Sequence, residues 1–313
     1  MTLILTFLRS YPALAIIAGL VTAFSFVSPF FLAAGNIEAM LGANAVVLIA
    51  AVGMTIVFLA GGIDLSIATV ISFSAVAGGL VMAQTDSVVL GLIVALVAGL
   101  AFGAVNGVLI GYFEMTPFIT TMATQLIARG LAFVMSAGIA VRGTPYAMLD
   151  FGFLLWFGIP AIMAIAVGIV VVMGLLMGHT SWGRYVMLVG SNAQAAHYSG
   201  VNVRFTTFTV YAVSGLLGGM AGFMSIVNLG NAIPGVGDTL LLIIIGAVVL
   251  GGTGMNGGEG SVGRTILGVA ILAILTNGLN LIGIPFYDQL IIMGALIFLG
   301  TWMAMTFGRR RGT

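Results

Sequence analysis

The side chains that could do chemistry in this sequence are few and mostly uncharged. Amides, hydroxyls, one carboxylate and one aromatic ring lie within otherwise apolar stretches, at Asp64, Ser66, Asn106, Phe118, Thr121, Gln125, Asn277 and Asn280. Neutral hydrogen-bonding groups suit an uncharged polyhydroxyl solute, or water along its route, better than they suit an ion or an acid. We therefore take these eight residues as candidates for lining a solute pathway.

Each of these residues also has a structural interpretation, which the sequence leaves open. Asp64 stands where a helix is expected to begin and would serve there as its cap. The Asn and Thr side chains would serve equally well as hydrogen-bonding contacts between neighbouring helices. Arg129 is expected to pair with a carboxylate or with backbone carbonyls at a helix end.

Several kinds of chemistry are excluded because the residue types they need are missing. All nine basic residues are Arg, so the chain has neither a Walker A lysine nor a Schiff-base lysine. Cysteine is absent, and His179 and His197 stand apart without clustered carboxylates, so we expect no metal centre. We predict that the chain is not an enzyme, holds no cofactor and does not bind nucleic acid.

Three short motifs resemble those of the intramembrane aspartyl proteases. Residues 235–238 read GVGD, residues 287–288 read YD and residues 12–14 read PAL. Those proteases carry YD, GxGD and PAL in that order, whereas here PAL comes first and YD last, and both aspartates fall in predicted outer loops. Because glycine is abundant, we attribute the match to chance.

The composition places most side chains in lipid. The chain has 313 residues, of which 61% are hydrophobic and 5% charged, against about 25% charged in soluble domains. Since a spanning helix needs about 20 apolar residues, we predict an all-α, polytopic transmembrane bundle that forms a single domain over residues 1–313. Ten segments are expected, at 11–33, 42–60, 65–84, 88–112, 117–138, 158–178, 206–228, 240–250, 262–282 and 287–307. Segment 240–250 is too short to cross alone and is expected to be tilted, broken or re-entrant.

The arginines predict the orientation. With ten crossings and an inner N-terminus, Arg142 is the one arginine in the outer loops, and the inner side holds Arg9, Arg184, Arg204, Arg264, Arg309, Arg310 and Arg311. Positive residues favour the cytoplasmic side. Both termini are therefore expected in the cytoplasm of a multi-pass protein.

One long polar connection and one glycine repeat stand out. Residues 178–205, the connector segment, are expected on the cytoplasmic side with short helices near 183–189 and 193–198; they form either a docking platform or a solvated link. The glycines recur at every fourth position, at Gly99, Gly103, Gly107 and Gly111. This spacing gives a groove for a close neighbouring helix, within the chain in preference to a dimer seam.

Collinear motifs along residues 40–300 look like those of the ribose-type sugar ABC importer permeases. They are 52–55 (VGMT), 60–66 (AGGIDLS), 106–107 (NG), 116–121 (TPFITT), 128–130 (ARG), 183–185 (GRY), 190–192 (GSN), 195–196 (AA), 199–203 (SGVNV), 211–216 (YAVSGL), 251–253 (GGT), 260–263 (GSVG) and 277–280 (NGLN). The chain departs from the family at Ile67-Ala68, where a glycine is usual, and at residues 194–197, which are usually more acidic.

The resemblance implies a permease in a bacterial inner (plasma) membrane that imports a monosaccharide. Its implied partners are a second permease, identical or homologous, cytosolic ATP-binding-cassette ATPase subunits that use ATP and Mg, and a periplasmic sugar-binding protein. By the same resemblance, the ATPase-coupling residues are Arg184, Asn192, Ala195, Ala196 and Gly200.

Two other functions stay open at this point. An ion-coupled secondary transporter of a small neutral solute would need a titratable carboxylate at membrane depth, and Asp64 is the candidate. A purely structural membrane subunit would need no pathway at all. The sequence does not identify the sugar.

Overall fold

The computed structural model describes residues 12–308 as a bundle of helices. In chain order the helices are α1 (Pro12–Val27), α2 (Ala34–Leu59), α3 (Ile67–Thr85), α4 (Val88–Gly111), α5 (Pro117–Met135), α6 (Tyr146–Gly152), α7 (Ala161–His179), α8 (Ser181–Ser191), α9 (Ala193–Tyr198), α10 (Val203–Leu229), α11 (Leu240–Leu250), α12 (Val262–Leu281) and α13 (Phe286–Gly308). Arg9 and Arg309 to Arg311, which contribute to the predicted orientation, lie outside the described residues.

Seven of the described helices, α2, α3, α4, α5, α7, α10 and α12, are long and apolar enough to cross a membrane. Three further apolar stretches are shorter, at Ala13–Val27, Leu240–Leu250 and Phe286–Gly300. The helical membrane bundle is therefore confirmed, while a full set of ten crossings stays a prediction.

Helices α2 and α10 form the centre of the bundle. Both are buried along most of their apolar length, whereas α4, α5 and α7 are mostly exposed. A helix that is apolar all round and buried belongs to a core, and exposed apolar faces at the rim suit lipid or another membrane chain.

Helix α10 packs against α4 through the predicted glycine groove. A Cβ on Gly99 would overlap the backbone of Gly215 and Gly219, and a Cβ on Gly103 would overlap the carbonyl oxygen of Tyr211. Gly111 meets the first turn of α10 in the same way, at the carbonyl of Arg204. Helix α10 of the same chain therefore fills the groove, and the two backbones touch because the glycines have no side chains.

The connector segment marks one end of the bundle, which we call the connector end. Gly190 on α8 lies against the carbonyl of Leu59, where α2 ends. Gly258, just before α12, donates its backbone N–H to the same carbonyl over 2.9 Å. The end of α4 and the starts of α10 and α12 are therefore on this side of the bundle.

Two irregular stretches enter the bundle from opposite ends. Residues 60–66 rise from the connector end, so that Ile67 begins α3 beside Gly218, about 22 Å along α10. Residues 230–239 descend from the other end until the N–H of Gly237 donates to Ser72 Oγ over 2.8 Å. Helix α11 then continues to the connector end, where Gly251 meets Arg264, so residues 230–250 form a broken passage, one of the three geometries expected for residues 240–250.

This descent corrects the predicted position of Asp238. The sequence prediction placed Asp238 in an outer loop, but residues 230–239 lie within the bundle because Gly237 seats against the carbonyl of Ala68. A side chain at that glycine would collide with the start of α3, so the close approach needs a residue without a Cβ.

The connection between α5 and α7 is also more structured than predicted. It holds α6 and a small antiparallel hairpin of β1 (Leu155–Trp156) and β2 (Ile159–Pro160), where Leu155 pairs with Pro160 and Trp156 with Ile159. Its turn residues Phe157 and Gly158 both have positive φ, at 53° and 81°, as two-residue hairpin turns require. The all-α prediction therefore misses one short strand pair.

Candidate functional site

A buried polar cluster surrounds Asp64, near the start of α3. Asp64 Oδ1 accepts hydrogen bonds from the backbone N–H of Ser66 at 3.0 Å and from Ser66 Oγ at 2.6 Å, and Asp64 Oδ2 accepts one from Ser214 Oγ at 2.8 Å. Only 1% of the Asp64 surface is exposed. Both carboxylate oxygens are thus engaged by protein donors, as a buried carboxylate needs.

The cluster continues from Ser66 into α4 and α5. Asn106 Nδ2 donates to Ser66 Oγ over 2.9 Å, and Thr124 Oγ1 donates to Asn106 Oδ1 over 2.8 Å. The Asp64 cluster, comprising Asp64, Ser66, Asn106, Thr124 and Ser214, therefore joins four elements through side chains that are all buried. Such a network fixes helices relative to one another.

Three predicted pathway residues, Asp64, Ser66 and Asn106, meet in this cluster, but their hydrogen bonds are to protein. The interpretation of Asp64 as a simple helix cap is too narrow, because Ser66 is the residue preceding α3 and Asp64 also binds α10. Sequence reasoning missed Thr124 and Ser214. In the sequence, each of them is marked only as a hydroxyl side chain within an apolar stretch.

A cleft of about 1340 Å³ opens at the connector end below this cluster. Its inner wall includes Gly62 and Tyr211, and its mouth is lined by Asn192, His197 and Arg204. The Tyr211 hydroxyl donates to the carbonyl of Ile63 at 3.2 Å, which separates the cleft from Asp64. A partly polar opening of this size has room for a hydrated solute.

The connector segment forms a braced, two-helix surface. Thr180 Oγ1 accepts the N–H of Gly183 at 3.3 Å, and Asn192 Oδ1 accepts the N–H of Ala195 at 2.9 Å, so each short helix carries a side-chain cap. Ala196 is 2% exposed and packs with Val189 and Val201. The segment is thereby held as a unit beneath α2.

Four of the five predicted coupling residues are exposed on this surface, namely Arg184, Asn192, Ala195 and Gly200. Ala196 faces inward. Arg184 Nη2 donates to Ser181 Oγ over 2.9 Å, and Gly200 has a φ of +83° as it ends α9. The exposed set can therefore contact a partner, while Ala196 holds the helix that presents it.

Helix α5 carries the remaining candidates near Asp64, and Thr121 lies on a different face of the helix from Phe118, Gln125 and Arg129. Thr121 is buried and its hydroxyl donates to the carbonyl of Pro117 at 2.8 Å. Phe118 is 50% exposed and Gln125 is partly exposed. Arg129 Nη2 forms an ion pair of 2.9 Å with Asp238 Oδ2, on the irregular stretch 230–239. Sequence reasoning left this partner unassigned because it placed Asp238 outside.

Asn277 and Asn280 lie at the far end of the bundle, away from the Asp64 cluster. Asn277 and Asn36 exchange two hydrogen bonds, at 2.9 and 2.8 Å, which join the end of α12 to the start of α2. Asn280 Oδ1 accepts from Gln289 Nε2 at 2.7 Å. These contacts match the interhelical role that the sequence left open.

Comparisons with known proteins agree with this architecture. Residues 36–300 match a family model described as a branched-chain amino acid transport system permease component. The ribose import permease protein RbsC of Bacillus subtilis (strain 168) is 38% identical over 283 residues, covering 90% of this chain and 88% of that protein.

Two Escherichia coli (strain K12) proteins are similar over equally long stretches. Its ribose import permease protein RbsC is 36% identical, covering 93% of this chain and 91% of that protein. Its D-allose transport system permease protein AlsC is 31% identical, covering 93% and 90%. No solved structure matches the chain. Since the family model covers most of the sequence and these relatives align along nearly its whole length, the chain belongs to this family of multi-pass transport-system permeases.

Proposed function

We propose that this chain is the transmembrane permease subunit of an ATP-binding-cassette importer for a monosaccharide. The observation that carries the proposal is the near full-length similarity to permeases named for ribose and allose import. Among the predicted pathway residues, Phe118 and Gln125 are at least partly exposed and would offer a sugar one aromatic ring and one amide.

The proposed assembly places this chain in the bacterial inner membrane with both termini in the cytoplasm. Cytosolic ATPase subunits bind the connector segment, use ATP and Mg, and supply the energy. A periplasmic binding protein delivers the sugar at the far end. A second permease, identical or homologous, completes the pathway.

The connector segment supports the mechanical part of the proposal. It is braced by caps at Thr180, Asn192 and Asn202, where Asn202 Oδ1 accepts the N–H of Phe205 at 3.0 Å and so begins α10. Gly190 touches the end of α2. A push on this segment therefore reaches α2 and α10, the two central helices, and alternates access between the two ends.

The ion-coupled alternative has less support. It needs a carboxylate that is free to meet ions or protons from water. Asp64 is 1% exposed with both oxygens hydrogen-bonded to protein, and Asp238 is neutralised by its ion pair with Arg129. An ion entering that site would have to displace three protein donors.

A charge placed on the connector segment tests the docking surface. Ala195 is exposed and Ala196 is buried, so Ala195→Asp adds a charge to the surface without burying one. We expect the ATPase subunit to be lost during co-purification and ATP-driven uptake to fall with it. Gln84→Asp, an equally exposed charge near the end of α3, is the matched control. Normal assembly and uptake by Ala195→Asp would contradict the proposed coupling role.

A further inference from the structure

The ion pair between Arg129 and Asp238 lies deep in the bundle. Arg129 is twelve residues into α5, which puts it about 18 Å from the start of a helix about 28 Å long. Asp238 follows Gly237, whose N–H is bonded to Ser72 in the second turn of α3. Both charged groups therefore lie between the two ends of helices that are long enough to span a bilayer.

This pair is open on one side. The Arg129 side chain is 54% exposed and that of Asp238 is 23% exposed. Charged groups at membrane depth avoid lipid and face the bundle interior or a water-filled cavity. Irregular backbone at this depth is tolerated under the same condition, and residues 230–239 are irregular. The open side of the pair therefore faces water or protein, not lipid.

The same side of α5 carries a stripe of aromatic, thioether and amide side chains. Phe118, Met122 and Phe133 are 50%, 41% and 38% exposed, and Gln125 is partly exposed. With Arg129 they follow a spacing of three and four residues, which places all five on one helix face. Apolar rings alternating with hydrogen-bonding groups offer both stacking and polar contacts to a sugar-like solute.

Asp238 also has an acceptor that the protein does not use. Its Oδ2 binds Arg129, while its Oδ1 has no hydrogen-bond partner among the described residues and is shielded from bulk water. Since Oδ1 has almost no exposed surface, a solute on this face meets the guanidinium group of Arg129 and not this oxygen.

We propose that this face of α5, with the Arg129–Asp238 pair at its centre, lines the solute pathway and forms hydrogen bonds with the hydroxyls of a neutral polyhydroxylated solute. Arg129 donates to the solute, and Asp238 holds the guanidinium group in place through its Oδ2. The two charges sum to zero, so an uncharged solute passes without a net electrostatic penalty. The inference rests on the proposed transport function and names the site at which it occurs.

Single cysteines test the aqueous exposure of this face, since the natural chain has none. We would place Gln125→Cys on the proposed face and Val97→Cys on the apolar outer face of α4, where Val97 is 58% exposed. The probe is a charged, membrane-impermeant methanethiosulfonate, applied to the assembled transporter in proteoliposomes. Gln125→Cys should react about tenfold faster than Val97→Cys, because only a thiol that ionises in water reacts quickly, and ribose delivered by the binding protein should slow it.

Equal slow labelling at both positions would overturn the inference. So would a disulfide between two copies of Gln125→Cys without labelling, which would assign the face to permease contacts. Uptake by each unlabelled variant is measured first. Loss of ATP-driven uptake by the parent chain would refute the proposed function, whereas intact uptake with an unreactive Gln125→Cys would refute only this inference.

A charge-neutral variant tests the contact itself. Arg129→Gln with Asp238→Asn removes both charges, so that neither remains buried alone. We expect the ATPase to co-purify normally and the uptake rate to fall about tenfold. A reduction of this size corresponds to the loss of roughly one hydrogen bond to a charged group. Uptake equal to that of the parent would overturn the proposed solute contact.

Discussion

Ser214 on α10 donates its hydroxyl to Asp64, 150 residues earlier in the chain, over 2.8 Å. This bond ties the start of α3 to the central helix at a point where neither group is more than 1% exposed. The Asp64 cluster therefore holds the backbone around the inner wall of the connector-end cleft in place, and it should contribute to the stability of the fold.

Ser214→Ala should lower the thermal stability of the purified protein. The substitution leaves Asp64 Oδ2 buried without its donor, at a cost of about 1–3 kcal/mol. The measurement is the unfolding midpoint in detergent. Thr22→Ala is the matched control, because the Thr22 hydroxyl is exposed and bonds only to its own helix at Ala18. An equal midpoint for the two variants would show that the Ser214 bond contributes nothing.

Asp64→Asn should retain ATP-driven uptake per assembled complex, although fewer complexes assemble. The carboxylate is enclosed by protein donors, so its charge stabilises the cluster and does not couple an ion to transport. Uptake is measured in proteoliposomes and normalised to the assembled ATPase. If correctly assembled complexes transport nothing, Asp64 takes part in transport itself and the ion-coupled mechanism regains support.

Gly103→Ala should sharply reduce the yield of folded protein. The added Cβ would overlap the carbonyl oxygen of Tyr211 and crowd the backbone of Gly215, and the closely packed α4 and α10 can separate only by losing their contact. Gly174→Ala on α7 meets no atom within 4 Å and should be neutral or slightly stabilising. Size-exclusion profiles of the two variants compare them directly, and two identical monodisperse peaks would contradict the packing.

Asn36 and Asn277 should be energetically coupled. Each amide both donates to and accepts from the other, so each single change to Ala removes the same pair of bonds. A double-mutant cycle on thermal stability is expected to give a coupling energy of about 1 kcal/mol. Additive effects, together with a raised KM for uptake, would return Asn277 to the solute pathway.

Composition and spacing predicted the fold class well because lipid imposes strict rules. Long apolar runs, the short segment 240–250 and the four-residue glycine repeat each depend on local properties of the chain. The structure accordingly shows the helical bundle, the broken passage through α11 and the α4–α10 groove.

The candidate site was harder to predict, because it depends on which helices are neighbours. Thr121 and Gln125 are alike as sequence features, yet Thr121 is buried and bonds to its own helix, whereas Gln125 is partly exposed on another face. The sequence places Asp238 in an outer loop because hydropathy, averaged over a window of residues, does not detect a chain that turns back into the bundle. Only the three-dimensional structure brings it to Arg129.

Uptake of monosaccharides, ribose and allose first, by reconstituted vesicles tests the central claim most directly. The vesicles would contain this chain, the ATPase subunit and the sugar-binding protein, with ATP supplied on the connector side and all ion gradients collapsed by ionophores. The monosaccharide that the binding protein holds should accumulate against its gradient only when all three proteins and ATP are present. Accumulation in vesicles that contain this chain alone would contradict the account. So would uptake by the complete system that occurs with ion gradients intact and stops when they are collapsed.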